Sequence, residues 1–152
     1  MRPWSRRDDG NAIVEFVFVA VIVMVPLVYL IVSVAQIQRN SLAATQAARE
    51  AGRAFATGSS TEDGLQRAQV AARLAYADQG LTERPDLTFH PADAGCTSSA
   101  EVAPSLSPGA EFTVCVQRDF TFPGVPSFVS GRGVRVIGRY LLHVDDYRAV
   151  AS

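Results

Sequence analysis

The side chains that could do chemistry in this chain are few, and their spacing argues against most reactions. His90 and His143 are its two histidines, and neither stands in a recognisable nucleophile–base arrangement. Together with Cys96 and Cys115 they reach the number of ligands a zinc ion takes, but no short Cys-x-x-Cys or His-x-x-x-His pair organises them. The sequence shows no phosphate-cradling glycine loop, nucleophile elbow or paired-carboxylate motif. Asp145 and Asp146 read as a solvated tail, because nothing downstream could bury them. The expectation is a non-catalytic protein with no cofactor and no metal. Cys96 and Cys115 are expected to form a disulfide if their region lies outside the cytoplasm, the alternative being two free thiols.

The remaining group is Glu15, and its setting is unusual. It begins an apolar stretch that carries no charged or strongly polar side chain from Phe16 to Val32 and stays apolar in character from Ala12 to Ala35. A helix needs about 20 mostly apolar residues to cross a bilayer core, so this segment predicts a membrane span. A carboxylate at the centre of such a span costs about 2.5–3.5 kcal/mol, and less near the interface. Glu15 either sits at headgroup level or has a cationic partner. No cation follows it within the span, but cleavage after Gly10 would create one, the α-amino group of Asn11, one helical turn away or on an adjacent subunit.

Orientation follows from the flanks. Arg2, Arg6 and Arg7 precede the span closely, while the far side offers Arg39 and then Arg49. Arginine excess marks the cytoplasmic side, and Asp8 and Asp9 hardly count against it. The N-terminus is expected inside and the bulk of the chain outside. A secretory signal ending at Ser33-Val34-Ala35 fits less well, since apolar cores of signals run about 7–15 residues. The formal net charge of -1 indicates no nucleic-acid partner.

Four segments are expected: a leader (1–10), a transmembrane helix and stalk (11–57), a second helix with its connection (58–84), and an extracytoplasmic β-rich region (85–152). The stalk carries Ile37, Ser41, Ala44, Ala48, Ala51 and Phe55 at helical spacing on one face. That face is mostly small, suited either to its own domain or to a neighbouring subunit. Pro26 predicts a bend in one long helix. Ser60 with Asp63 resembles a capping box, opening a helix from Thr61 to Gln79 with Leu65, Ala68, Ala72, Ala75 and Tyr76 on one face and Gly80 as its stop. Strands are expected over Asp86–His90, Glu111–Arg118 (with Phe120 and Phe122 beyond a small irregularity) and Val134–Val144. Phe120, Phe122 and Phe128 read as core and loop anchors. The fold class is α+β, with a three-stranded antiparallel sheet packing one face on helix.

Arg6-Arg7-Asp8-Asp9-Gly10, four further residues, Glu15-Phe16 and a long apolar helix together resemble the class III signal of type IV pilin-like proteins. The alanine-rich run Gln46–Ala54 looks like the segment that follows the membrane helix in TadE-like pseudopilins of the tight-adherence (Tad) pilus. The resemblance implies a prepilin peptidase cutting after Gly10, with Glu15 as the fifth residue of the mature chain. It implies a pilin-like fold and a non-catalytic part in pilus assembly. The implied partners are the peptidase, other Tad pilins and pseudopilins, the membrane assembly platform and the lipid bilayer. The implied location is the cytoplasmic membrane, single-pass, with incorporation into a pilus. The alternative is an uncleaved single-pass protein presenting a small extracytoplasmic binding domain.

Overall fold

Helix α1 runs without interruption from Asp9 to Ala56, through Pro26. Helix α2 follows (Thr61–Asp78), then strands β1 (Asp86–Pro91), β2 (Glu111–Phe120) and β3 (Val134–His143). The computed structural model describes residues 9–122 and 133–149, and of Asp9, Gly10 and Asn11 it describes the helical backbone alone. The flanking Arg2, Arg6 and Arg7, Phe128, and most of the loop expected from Pro123 to Gly133 lie outside the described residues. The strands form one antiparallel sheet in the order β1-β2-β3. The architecture is the expected α+β fold.

Two compact units divide the chain, Met1–Gln36 and Ile37–Ser152, so α1 is one element belonging to both. In the first unit the helix is apolar on all sides and none of its large side chains is covered. That is the pattern of a helix built for an apolar solvent, not for one face of a core.

The second unit is built on small residues. From α1 it buries Asn40, Ala43, Ala44, Ala47, Ala48, Ala51 and Phe55, whereas Ser41, expected on this stripe, is exposed. The buried arc is centred nearer Ala47 and leaves Ser41 at its margin. The closest approach is at Gly138 of β3, where a Cβ would overlap the backbone of Ala44. Gly52 similarly leaves room for the Tyr140 ring, whose Cδ1 lies 2.6 Å from where a Cβ would stand. Phe55, Phe89 and Phe112 then interlock at centroid separations of 5.4–5.7 Å, joining α1, β1 and β2.

The turn between the helices is capped as its sequence requires. Ser60 Oγ accepts from the Asp63 N–H at 3.2 Å, but the Asp63 carboxylate reaches back to the Ser59 N–H at 2.8 Å and not to that of Ser60. The capping box is thereby displaced one residue. Helix α2 stops at Asp78. Leu81 N–H donates to Tyr76 O and Gly80 N–H to Ala77 O around Gly80 at φ 70°, a Schellman motif. Strand β2 continues through Phe120 with no irregularity, because Asp119 pairs with Arg135 in both register and charge. Phe122 lies beyond it and packs edge-on against Phe120 at 5.2 Å.

Candidate functional site

Two features concentrate the candidate residues: the uncovered half of α1 and the outer face of the sheet. Gly10, Asn11, Glu15 and Phe16 all fall within the first turns of α1. Glu15 is exposed among exposed apolar neighbours, and Phe16 is 74% exposed. Asn11 and Glu15 are four positions apart, so their backbone positions lie on the same side of the helix. One helix among the described residues is long and apolar enough to cross a membrane, which fits a single-pass membrane protein.

The first part of the connection between β1 and β2, residues 92–102, straps the outer face of those two strands and leaves β3 open. Cys96 is joined to Cys115 of the central strand, with Cα atoms 5.6 Å apart. Gln117 Nε2 donates to Cys96 O at 2.8 Å, Thr113 Oγ1 to Ala92 O at 3.3 Å, and Val102 N–H to Phe89 O. Beneath this strap His90 is 1% exposed. Its Nδ1 bonds the Ala100 carbonyl at 3.1 Å, which requires the proton there and leaves Nε2 to accept from the Thr88 hydroxyl at 3.0 Å. His90 is therefore a fully engaged structural histidine. His143 lies elsewhere, at the exposed end of β3, between Glu111 at 3.0 Å and Asp146 at 3.5 Å. Its hydrogen bond to Glu111, with help from Asp146, raises its pKa above the ordinary histidine value. The four residues once counted as zinc ligands are thus separated, both sulfurs being in the disulfide. Among the described residues no group of three or more His, Cys, Asp or Glu side chains is arranged to hold a metal ion.

Sequence reasoning missed a polar node behind the helices. Arg118, its side chain 12% exposed, reaches Glu83 at 2.6 Å and donates to Asn40 Oδ1 at 3.2 Å. Tyr76 is buried beside this cation, and burial pushes its phenol pKa up against the cation's opposing pull. The node ties α1 and β2 to the connection that follows α2. Arg148, near the other end of the domain, donates to the carbonyls of Ala56 and Gly58. A guanidinium there satisfies the carbonyl of the last residue of α1 and that of Gly58 in the turn, and is favoured by the negative end of the helix dipole.

The geometry defines a class: an α+β domain whose sheet is strapped by a disulfide, in a chain with one helix, among the described residues, long and apolar enough to cross a membrane. Residues 10–53 match the family model for TadE-like protein. That segment is similar to the TadE-like family. Comparisons with curated proteins and with solved structures give no match.

Proposed function

We propose that this chain is a non-catalytic pseudopilin, or minor pilin, taking part in assembly of a Tad-type pilus. It inserts with its N-terminus in the cytoplasm, is cut after Gly10 by a prepilin peptidase, and joins other Tad pilins at the membrane assembly platform. The observation that carries this reading is a coincidence of position: the TadE-like match opens at Gly10 and covers the whole uncovered apolar helix. A permanent anchor needs such a helix, but it has no use for an acid at Glu15. A processed helix does, because cleavage places the new amine of Asn11 one turn away, where it offsets the charge in a medium that screens little.

The deciding experiment is N-terminal sequencing of membrane-derived protein from cells with and without the peptidase. The expected result is a start at Asn11 that depends on the enzyme. An unprocessed Met1 would favour an uncleaved anchor presenting a binding domain, and a start at Gln36 would mean removal of a secretory signal.

A further inference from the structure

Val144 ends the pairing of β3 with β2. Its N–H donates to Ala110 O at 2.9 Å and its carbonyl accepts from Gly109 N–H at 3.1 Å. Beyond it the chain folds into a short turn. Tyr147 N–H donates to Asp145 Oδ1 at 2.9 Å and Arg148 N–H to Asp145 O at 3.2 Å. Tyr147 is 95% exposed, so it supplies this turn with no buried apolar anchor. Two polar side chains fasten the turn to the rest of the domain. Arg148 donates to the carbonyls of Ala56 and Gly58, and Asp146 approaches His143. Gly109 makes room for that second contact, since a Cβ there would stand 2.9 Å from Asp146 Oδ1.

His143 faces one acid from each element beside it. Glu111, its register partner on β2, lies 3.0 Å from Nδ1, and Asp146 lies 3.5 Å from Nε2. The other charged groups nearby are turned elsewhere. The Asp145 carboxylate accepts from Tyr147 N–H, Arg139 on the same strand donates to Ala92 O, and Arg148 serves the two helix-end carbonyls. Both ring nitrogens of His143 therefore meet acceptors, and only the imidazolium carries a proton on each. A neutral ring has one proton to give. It stays on Nδ1, where the contact is shorter, and Nε2 then sets a lone pair against the Asp146 carboxylate. The contact that fails is the one that holds the turn.

We propose that His143 is the pH-sensitive catch of a latch that pins residues 145–149 against the turn between α1 and α2. When charged, it holds Asp146 in place and so presents Arg148 to the carbonyls of Ala56 and Gly58. The pinned segment then walls a cleft together with Ser59, Thr61 and Ser107. When neutral, it repels Asp146, and the segment spends more of its time away from the helix end. The latch closes as pH falls through the His143 pKa, which its hydrogen bond to Glu111 and the nearby Asp146 raise above the ordinary histidine value. The device is independent of cleavage after Gly10 and of any part in a pilus.

The test follows amide nitrogens by NMR in the full chain in detergent micelles, from about pH 5 to 9, a range that spans the histidine titration. Thr57 and Ser59 are the reporters, because their N–H groups share peptide planes with the two accepting carbonyls. Asp63, whose carboxylate also meets Ser59, titrates below this range because its bond to Arg67 lowers its pKa. Both reporter signals should shift with the midpoint of the His143 ring, moving at high pH toward the positions they hold throughout in Arg148→Gln. His143→Arg can donate to both acids across the whole range, so it should keep the reporters at their low-pH positions. His143→Leu should leave them near their high-pH positions with no titration. Reporters that ignore the His143 midpoint, or that titrate unchanged in His143→Arg, would overturn the latch.

Discussion

Gly138 of β3 faces the backbone of Ala44 in α1 so closely that no side chain fits between them. The contact sets how near the helix lies to the sheet, and with it the depth at which Phe55 meets Phe89 and Phe112. Gly138 cannot be enlarged without moving α1, since backbone cannot rotate away as a side chain can.

Gly138→Ala is therefore expected to destabilise the domain by roughly 1–3 kcal/mol, the range for overpacking a closed site, and Gly138→Val by more. Gly95 serves as a control, because a Cβ there meets a single side-chain atom at 3.9 Å. Thermal unfolding of the full chain in detergent, followed by near-ultraviolet circular dichroism, should separate the two. Equal midpoints for Gly138→Ala and Gly95→Ala would show that the helix is not held at this distance.

The Cys96–Cys115 link closes a loop with a sequence separation of 19, for which chain-entropy arguments give a stabilisation of about 3 kcal/mol. Intact mass with and without reductant, together with a thiol count, should show one disulfide. Reduction should release the strap before the core. In hydrogen exchange the protection of Val102, which bonds Phe89 O, should fall sooner than that of β2 and β3. Two free thiols in protein taken from the membrane would refute the link, and simultaneous loss across the whole sheet would refute its confinement to the strap.

Much of this was legible in the residues, for identifiable reasons. A span from Phe16 to Val32 with no polar interruption is a local property, and so is the alternation of Phe112, Val114 and Val116. Two cysteines allow a single pairing. The long-range terms were not legible. The alanine stripe of α1 served a neighbouring subunit as well as its own sheet on paper, and only the approach of Gly138 to Ala44 decides that its buried part covers the sheet. Nothing around Asn40 announces Arg118, 78 residues away, because a polar residue on a helix has the same local signal whether it meets solvent or a buried guanidinium. Asp63 was placed correctly at the helix start, but its choice of Ser59 over Ser60 depends on the turn's path.

His143 gives a pH dependence with a definite sign. Its hydrogen bond to Glu111 and the charge of Asp146 favour the imidazolium, so its folded-state pKa lies above the ordinary value. A raised histidine contributes stability in full below the unfolded pKa of about 6.5, and loses it as pH rises through the folded value. Because the side chain is exposed, the effect should be small and weakened by salt. Proton NMR of the His143 ring should show a titration above the ordinary range that moves down in Glu111→Gln. A His143 midpoint unchanged by Glu111→Gln would rule out this pair as its cause.

Glu15 offers the sharpest test of the proposed role, because insertion and assembly make opposite demands on it. For insertion the carboxylate is a liability, so Glu15→Gln and Glu15→Leu should enter the membrane at least as well as the parent chain. For assembly on the proposed reading, the acid must meet the amine created at Asn11, and removing it leaves that amine without its partner in lipid. Unpaired charge in such a medium costs far more than at a surface. The expected outcome is a chain that is inserted and cut after Gly10 but recovered in the membrane fraction and depleted from sheared pili. Both variants should behave alike, since glutamine keeps the shape and leucine keeps the apolarity while neither keeps the charge. If Glu15→Gln assembles as the parent does, the acid is not paired with the new terminus, and Glu15 reverts to a residue placed at headgroup level.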